Sequence, residues 1–247
     1  MQNLSAKYGK TLNLDKLTSY CPGCGHGIVT RLVAEAIETL GIRERAIAIV
    51  GIGCGGFSHH YMDVDAIEAT HGRSPSFAVG YKLCRPDNIV FTYCGDGDSC
   101  AIGLGDLMHA ANKGMPITSI MVNNSVFGMT GGQMAPTTLL GQKTATTPYG
   151  RTAALNGYPI KMSDILATLD GTCYVTRQAV HTPAAVRKAK NALKKAFANA
   201  AAKKGTSVVE IVSTCNSGWK LTPDQSNKWM AEHMFEKYPL GDLKNID

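Results

Sequence analysis

The chain has 247 residues, of which 44% are hydrophobic, and its formal net charge is +6. This length and apolar content suffice for one large α/β domain with its own core. No stretch has the ~20 apolar residues needed to cross a bilayer, and the first ten residues lack the apolar segment of a signal peptide. We therefore expect a cytoplasmic protein without a membrane partner.

The first half of the chain alternates helical and extended patterns. Met1–Ser19 has no periodicity and is expected to form an irregular lead-in arm that covers a neighbouring subunit. Apolar residues at helical spacing predict an amphipathic helix over Gly27–Leu40 that stops at Gly41. The elements predicted next are a doubly buried strand over Ala46–Ile52, helices over Met62–Thr70 and Ser76–Leu83, a strand over Asn88–Tyr93, a helix from about Ser99, and a strand over Met115–Val122.

The second half begins with a long segment and then returns to alternation. Residues Phe127–Arg151 are rich in Gly, Thr and Pro without periodicity, which is typical of a functional lid-like loop. The elements predicted after it are a helix over Ser163–Leu169, a strand over Cys173–Val180, a basic helix over Pro183–Ala202, a strand over Ser207–Val212 and a helix over Thr222–Met234, capped by Thr222-Pro223. With no repeats and no linker, residues 1–247 are predicted to form a single doubly wound, mostly parallel α/β domain.

Most of the excess positive charge lies in one segment, Arg187–Lys204. It is predicted to be a surface helix that buries Val186, Ala189, Leu193 and Phe197. No base-reading module accompanies this charge, so we expect no nucleic-acid partner. A solvated face, or a docking surface for an acidic partner, is the better interpretation.

Two turns carry residues suited to bind a metal ion and a diphosphate. Gly95-Asp96-Gly97 follows one apolar run and Asn123-Asn124 follows the next, in a strand–helix–strand unit. Both turns leave the same edge of a parallel sheet, where ligands bind. The glycines allow close backbone approach to phosphate, and the helix that begins near Ser99 directs its free N–H groups at an anion. Asp96 and Asn124 offer the oxygen ligands that Mg²⁺ prefers. Ordinary turns with local hydrogen bonding are the alternative.

Eight cysteines in a chain without a secretory signal indicate metal or redox chemistry. Cys21 and Cys24 form a CxxC, Cys54 lies in a second glycine-rich loop, and Cys215 follows a predicted strand. Four converging thiolates could hold zinc or a 4Fe–4S cluster, and unliganded thiols are a third alternative, because spacing alone does not separate them. The remaining cysteines are expected to pack as small hydrophobes: Cys84, Cys94, Cys100 and Cys173.

The sequence resembles two nested families. The Gly-Asp-Gly turn, followed about 27 residues later by Asn-Asn, is similar to the signature of thiamine diphosphate enzymes. Over almost its whole length the chain resembles the beta subunits of the 2-oxoacid:ferredoxin oxidoreductases. The motifs that carry this resemblance are CPGCGHG (21–27), GIGC (51–54), HGR (71–73), the GDGD and NN turns, GMTGGQMAPTT (128–138), TTPYGR (146–151) and the closing STC (213–215). Gly131 stands where many two-subunit relatives have Lys, so the chain is most similar to the short beta subunits of four-subunit enzymes.

The resemblance implies the thiamine diphosphate-binding fold and a set of ligands. Asp96, Asn124 and the Val126 carbonyl would bind Mg²⁺, and Cys21, Cys24, Cys54 and Cys215 would hold a 4Fe–4S cluster. The candidate cofactor-binding residues are Gly95, Asp96, Gly97, Asp98, Asn124, Val126, Gly128, Thr130, His26 and Cys54. His71 and Arg73 are the candidate substrate contacts; the alternative is that Arg73 pairs with a nearby Asp and that His26 only hydrogen-bonds its own loop. A charged substrate would need a cation, for which Arg73, Lys82 and Arg151 are available.

The activity implied by the resemblance is the coenzyme A-dependent oxidative decarboxylation of a 2-oxoacid. We expect 3-methyl-2-oxobutanoate first and 2-oxoglutarate next, with electrons passing to ferredoxin. An alpha subunit would supply the activating Glu, and a gamma subunit and a small ferredoxin-like subunit would complete the complex. Two alternatives stay open: a non-oxidative thiamine diphosphate decarboxylase or carboligase subunit, and a metal-stabilised electron-transfer scaffold.

Overall fold

The computed structural model of the protein describes residues 9–246. Its elements in chain order are α1 (His26–Thr39), β1 (Ala46–Val50), β2 (Asp65–Glu68), α2 (Ser74–Cys84), β3 (Ile89–Gly95), α3 (Leu104–Asn112), β4 (Thr118–Asn123), β5 (Val126–Phe127), β6 (Gln133–Met134), α4 (Ala153–Asn156), α5 (Met162–Ala167), β7 (Thr172–Ala179), α6 (Pro183–Ala201), β8 (Thr206–Val212), α7 (Asn216–Trp219), α8 (Pro223–Trp229), α9 (Phe235–Lys237) and β9 (Gly241–Asn245). Short 3₁₀ turns cover Arg43–Arg45 and Cys54–His60, and π-helical turns cover Asp98–Ile102 and Met230–Met234.

Seven strands form one sheet in the order β2-β1-β3-β4-β8-β7-β9. All neighbouring pairs are parallel except β7 and β9, which are antiparallel. In register, Gly95 lies beside Val122, and Asn123 lies beside Val212. The chain reverses its direction of winding after β2, so the carboxyl ends of β1, β3, β4 and β8 lie side by side at the middle of one edge. This is where an open α/β sheet binds its ligands.

Helices cover both faces of the sheet, as the doubly wound prediction requires. On one face α1 and α6 pack over alternate residues of the central strands, including Phe91, Ile120 and Ile211. On the other face α2, α3 and α5 pack over the intervening residues, among them Ile49, Met121 and Val208. Because both faces are covered, β1, β4 and β8 are buried throughout. The predicted α/β architecture is confirmed.

Most predicted elements are present within a few residues of their expected bounds. Thr222 accepts a hydrogen bond from the Gln225 N–H in a complete capping box, with Pro223 at the first helical position. The Lys- and Arg-rich helix α6 buries Ala189, Leu193 and Phe197 as predicted, whereas Val186 is only partly buried. The predicted final helix over Thr222–Met234 is present, but its geometry changes: α8 ends at Trp229, and a π-helical turn continues it through Met234.

The predicted helix over Met62–Thr70 is wrong. Residues Asp65–Glu68 instead form β2, the edge strand that pairs in parallel with β1. Three of its four residues are exposed, so its extended form depends on hydrogen bonding to β1 rather than on burial. Strand β9, at the opposite edge, was not predicted.

Part of the predicted lead-in arm lies outside the described residues, which begin at residue 9. Its described part packs on its own chain: the Thr11 N–H donates to Glu38 Oε2 at 3.0 Å, and Leu12 forms an antiparallel bridge with Met62. Within residues 9–246, no helix has the length and apolarity that crossing a membrane requires.

Candidate cofactor and metal site

A cavity of about 110 Å³ lies at the carboxyl ends of β1, β3 and β4. The loops that follow these strands form its walls, together with the start of α1 and the turn before α2. The residues predicted to bind the cofactor all line this cavity, and so does the substrate candidate His71: His26, Cys54, His71, Gly95, Asp96, Gly97, Asp98, Asn124, Val126, Gly128 and Thr130. The fold therefore gathers into one place residues that span more than a hundred positions of sequence.

Asp96 lies at the base of the cavity with only 1% of its surface exposed. Its carboxylate accepts hydrogen bonds from the Ser125 N–H at 2.8 Å, from the Gly97 N–H at 3.0 Å and from the Thr137 hydroxyl. Burial nevertheless raises the pKa of Asp96 to about 7, although these hydrogen bonds act in the opposite direction. A buried carboxylate that makes no salt bridge within residues 9–246 is suited to receive a cation.

The Asn123–Val126 turn holds the second predicted ligand beside Asp96. Ser125 adopts a positive φ of 59°, which is uncommon for a residue with a side chain and characteristic of strained functional turns. Asn124 Oδ1 accepts a hydrogen bond from the Val126 N–H at 3.3 Å. The backbone carbonyl of Asn124 accepts one from Trp219 Nε1 at 3.0 Å. The turn is therefore held from within and from α7.

A buried network of polar side chains on β4, β8 and β7 supports this turn. Asn123 Nδ2 donates to Glu210 Oε1 at 2.7 Å, and Arg177 Nε donates to Glu210 Oε2 at 2.8 Å. Arg177 and Glu210 are almost completely buried, and Arg177 also pairs with Asp164. Because every member is paired, the network rigidifies the strand end that precedes Asn124.

Close packing explains two of the glycines around the cavity. A Cβ atom on Gly97 would overlap the ring of Phe127, and one on Gly51 would overlap the carboxylate of Asp98. Within the Gly-Asp-Gly turn the packing therefore excludes a side chain at Gly97, whereas a Cβ on Gly95 would meet nothing within 4 Å. Asp98 Oδ2 is buried, and no hydrogen-bond partner for it exists among the described residues.

The two substrate candidates have different surroundings. The Nδ1 atom of His71 forms a hydrogen bond with Asp98 Oδ1, which also accepts from the Gly72 N–H at 2.6 Å, and His71 lines the cavity. Arg73 does not line it, because its guanidinium forms an ion pair with Asp106 on α3. The structure thus brings His71 to the cavity but not Arg73.

The two further cations considered for a charged substrate are engaged elsewhere. Lys82 donates to the carbonyl of Asn88 at 2.5 Å, at the amino end of β3 and thus at the far edge of the sheet. Arg151 is buried and donates to backbone carbonyls of two segments: to Ala135, Pro136 and Thr138, and to Asn156, Gly157 and Tyr158, at 2.6–3.3 Å. Arg151 is therefore a structural clamp that fixes the turn carrying Thr137.

His26 is buried where the cavity meets the cysteine loops. Its Nδ1 atom lies 3.1 Å from the Tyr93 hydroxyl, and its ring stacks on Tyr20 with 5.3 Å between the centroids. Burial lowers the pKa of His26 to about 4, so the imidazole is neutral at physiological pH. It offers the cavity a neutral, oriented ring rather than a positive charge.

The CxxC loop is hydrogen-bonded to the loop that carries Cys215. The Thr214 hydroxyl donates to the Gly23 carbonyl at 3.1 Å, and Asn216 Nδ2 donates to the Pro22 carbonyl at 3.1 Å. Cys54 lines the cofactor cavity itself, and a Cβ on Gly128, another lining residue, would lie 2.8 Å from Cys215 Sγ. Cys54 and Cys215 thus lie against this cavity, whereas Cys21 and Cys24 line the neighbouring one.

The thiols also influence one another electrostatically. Burial raises the pKa of Cys24 to about 11, and the neighbouring thiols Cys54 and Cys21 raise it further. Burial likewise raises the pKa of Cys215 to about 12, with contributions from Cys24 and Cys54. All four are free thiols. Within residues 9–246, no three His, Cys, Asp or Glu side chains are placed to hold a single metal ion. Cys21, Cys24, Cys54 and Cys215 are thiols from three loops, the donor type that an iron–sulfur cluster binds as thiolates, and burial raises the pKa of Cys24, Cys54 and Cys215.

Three of the other cysteines pack as predicted. Cys94, Cys100 and Cys173 are buried, and Cys100 Sγ lies 3.4 Å from Met121 Sδ. Cys84 is exposed at the end of α2, so its predicted packing is wrong.

Several residues of the site were missed. Thr137, Ser125 and Trp219 hold the two predicted metal ligands, and Ile52 and Met129 form an apolar rim with 39% and 47% of their surface exposed. The threonine lies 41 residues from Asp96 in a segment without periodicity. The one signal that could have indicated it was the density of hydroxyl and glycine residues after Phe127.

Comparisons with known proteins agree with this geometry. Residues 51–211 match the family model described as the thiamine pyrophosphate enzyme, C-terminal TPP binding domain. This range includes both turns and Cys54, whereas Cys21, Cys24 and Cys215 lie outside it.

Two relatives extend the likeness beyond that domain. The 2-oxoglutarate synthase subunit KorB of Archaeoglobus fulgidus is 34% identical over 99% of this chain and 86% of its own length. The ketoisovalerate oxidoreductase subunit VorA of Methanothermobacter thermautotrophicus is 38% identical over 92% of this chain, which spans about half (48%) of the length of that relative.

A solved structure has the same fold. It is described as the 2-oxoglutarate:ferredoxin oxidoreductase from Magnetococcus marinus with 2-oxoglutarate, coenzyme A and succinyl-CoA bound. The superposition has a TM-score of 0.80 at 26% identity and covers all of this chain and 87% of the other.

Proposed function

Because this chain belongs to the family of thiamine pyrophosphate-binding subunits of 2-oxoacid:ferredoxin oxidoreductases, we propose that it is the beta subunit of such an enzyme. The reaction proposed is the coenzyme A-dependent oxidative decarboxylation of a 2-oxoacid. The observation that carries the proposal is the buried carboxylate of Asp96, set in one cavity with Asn124 and Cys54. A diphosphate–metal site and a thiolate site then share one wall.

We propose that Asp96, Asn124 and the carbonyl of Val126 hold Mg²⁺ and that the Gly95–Gly97 turn lies against the diphosphate. The donor set consists of hard oxygens, which this ion prefers, and few protein ligands are needed when phosphates supply the others. Thr137 and Ser125 keep the Asp96 carboxylate oriented. Gly128, Thr130, Asp98 and His26 complete the cofactor contacts in this proposal.

Thiamine diphosphate supplies the nucleophilic carbon and the electron sink for decarboxylation, and a 4Fe–4S cluster supplies a one-electron acceptor. Cys21, Cys24, Cys54 and Cys215 are the proposed cluster ligands. The chain itself binds and orients: its turns fix the cofactor position, and the apolar rim at Ile52 and Met129 limits the access of water.

The names of the relatives support the substrate candidates of this proposal. Ketoisovalerate (3-methyl-2-oxobutanoate) is the first candidate and 2-oxoglutarate the second, since these acids are named for the relatives. Among the residues that the structure describes, no Lys or Arg lines the cavity, a lining that fits the uncharged side chain of the first. We propose His71 rather than Arg73 as the substrate contact. An alpha subunit with the activating Glu, a gamma subunit, a small ferredoxin-like subunit, ferredoxin and coenzyme A complete the proposal.

The test is anaerobic purification of the native complex, with iron, acid-labile sulfide, zinc and thiamine diphosphate assayed per copy of this chain. A Cys54→Ser variant should lose about four iron and four sulfide per copy of this chain, while it keeps thiamine diphosphate and the iron of the ferredoxin-like subunit. The matched control, Cys84→Ser, should keep all of them. Zinc in place of iron would contradict the oxidative mechanism and leave a non-oxidative decarboxylase as the alternative. A complex without thiamine diphosphate would overturn the proposal altogether.

A further inference from the structure

The outer face of α6 carries only positive charge. The helix contains no Asp or Glu, and its basic residues are Arg187, Lys188, Lys190, Lys194 and Lys195. We name these five residues the basic face. Among the described residues, ion pairing neutralises this charge only in part: Lys190 pairs with Glu35 on α1 at 2.9 Å.

The basic face has a core of exposed, unneutralised residues. Arg187, Lys188 and Lys194 are exposed, and none of them forms a salt bridge within the described part of the chain. Lys195 is engaged, since its Nζ atom lies 5.2 Å from the centroid of the Tyr174 ring and also bonds to Asn245. Three cationic side chains are therefore presented to solvent along one side of the helix.

This face lies next to the cysteine loops. Helix α6 starts at Pro183, shortly after β7 ends at the ligand-binding edge of the sheet. A groove of about 570 Å³, lined by Lys188, Lys195 and His181, runs along it. His181 also lines the neighbouring cavity, together with Cys21 and Cys24, and Cys21 is exposed. The thiol set thus reaches the protein surface beside the basic face.

We propose that the basic face is the docking surface for an acidic electron-acceptor protein, which takes electrons where Cys21 reaches the surface. This inference rests on the proposed function and adds the location and charge of the partner. Conversion of one 2-oxoacid and one coenzyme A to an acyl thioester, CO₂ and a proton releases two electrons. Two one-electron acceptors therefore dock, are reduced and leave in each turnover.

Charge complementarity explains why a partner would be acidic. Opposite charges on two proteins accelerate encounter and orient the approach, and the effect weakens as salt screens it. One carboxylate, Asp242, lies in the groove, and it accepts a hydrogen bond from the Tyr174 hydroxyl at 3.0 Å. The three exposed cations outnumber it, so the surface remains positive.

The experiment reverses charge at two places on the assembled, cofactor-loaded complex. The test variant is Arg187→Glu with Lys188→Glu, in the second turn of α6, where Glu retains helix propensity. The matched control is Lys113→Glu with Lys204→Glu, two exposed lysines that precede β4 and β8 and so lie at the opposite edge of the sheet. Both variants change the net charge equally. Each is assayed with methyl viologen and with an acidic bacterial 4Fe–4S ferredoxin, at low and high ionic strength.

We expect the test variant to reduce methyl viologen at the wild-type rate, while its KM for the ferredoxin rises roughly tenfold at low salt and loses most of its salt dependence. The control should behave as wild type with both acceptors. Equal ferredoxin kinetics in the test variant and wild type, or an equal defect in both variants, would overturn the docking site. Failure of the wild-type complex to reduce viologen with any 2-oxoacid would instead overturn the proposed function itself.

Discussion

Replacing Asp96 by Asn should stabilise the cofactor-free chain while it abolishes cofactor binding. Burial raises the pKa of Asp96 from its ordinary value of 3.8 to about 7. The folded chain therefore retains a proton that the unfolded chain releases between about pH 4 and pH 7. The free energy of unfolding falls as the pH rises through that window. Above it, the folded chain bears the full cost of ionising the buried Asp96 carboxyl. The difference in pKa corresponds to about 4 kcal/mol.

Asparagine does not ionise, so the Asp96→Asn variant has no such cost. It does lose the hydrogen bond from the Gly97 N–H, because an amide nitrogen would face this donor, and that loss costs about 1 kcal/mol. At pH 8.5 the variant should be more stable than wild type by roughly 3 kcal/mol, and at pH 4 slightly less stable. Urea unfolding of the full chain without Mg²⁺ or thiamine diphosphate, followed by the fluorescence of its tryptophans, measures both values.

Cofactor addition separates two effects of the Asp96 carboxylate, its cost to the stability of the folded chain and its proposed binding of Mg²⁺. Mg²⁺ and thiamine diphosphate should stabilise the wild-type chain at pH 8.5 and leave the Asp96→Asn variant unchanged. The exposed Asp170 provides a control, Asp170→Asn, that should follow wild type in every condition. If wild type and Asp96→Asn lost the same free energy between pH 4 and 8.5, the reasoning from the buried carboxylate would be refuted.

Three further variants probe the residues around Asp96. Thr137→Val removes a hydroxyl that donates a hydrogen bond to the Asp96 carboxylate. Titration calorimetry on the complex should therefore show that Mg²⁺ and thiamine diphosphate bind about tenfold more weakly, or weaker still, and an unchanged affinity would contradict this role. Arg151→Lys replaces a planar guanidinium that donates hydrogen bonds to six carbonyls. The free energy of unfolding, measured in urea, should fall by about 2–4 kcal/mol, whereas an unchanged unfolding midpoint would show that lysine can hold the two segments equally well. Gly97→Ala should weaken cofactor binding because the added methyl overlaps Phe127, and Phe127→Leu in the same chain should restore part of it; no restoration would place the clash elsewhere.

The sequence was most informative where local patterns and tertiary environment agree. The runs that became β1, β3 and β4 are apolar on both faces, so their pattern already indicates a sheet covered by helices on both sides. The paired turns at Asp96 and Asn124 could be placed together because parallel strands have a common carboxyl edge.

Prediction failed where a distant partner determines the local structure. Strand β2 is extended because β1 offers it hydrogen bonds, and nothing within Met62–Thr70 indicates that pairing. His71 and Arg73 are equivalent candidates by sequence, but their partners differ. His71 contacts Asp98 of the π-helical turn, whereas Arg73 pairs with Asp106 of α3. The contact of Thr137 with Asp96 likewise depends on an irregular segment whose path follows from Arg151, and no periodicity encodes it.

The position of β8 in the sheet has a consequence for biosynthesis. This strand is inserted between β4 and β7, although it is made after both, and Thr214 contacts Cys24 from 190 residues away along the chain. Until the ribosome has released this part of the chain, the edge of β4 is unpaired and the CxxC loop lacks its hydrogen-bond partners. The four thiols can converge only after β8 and Cys215 have been translated, so a site that needs all four forms late in synthesis, and the nascent chain carries its other thiols uncovered until then.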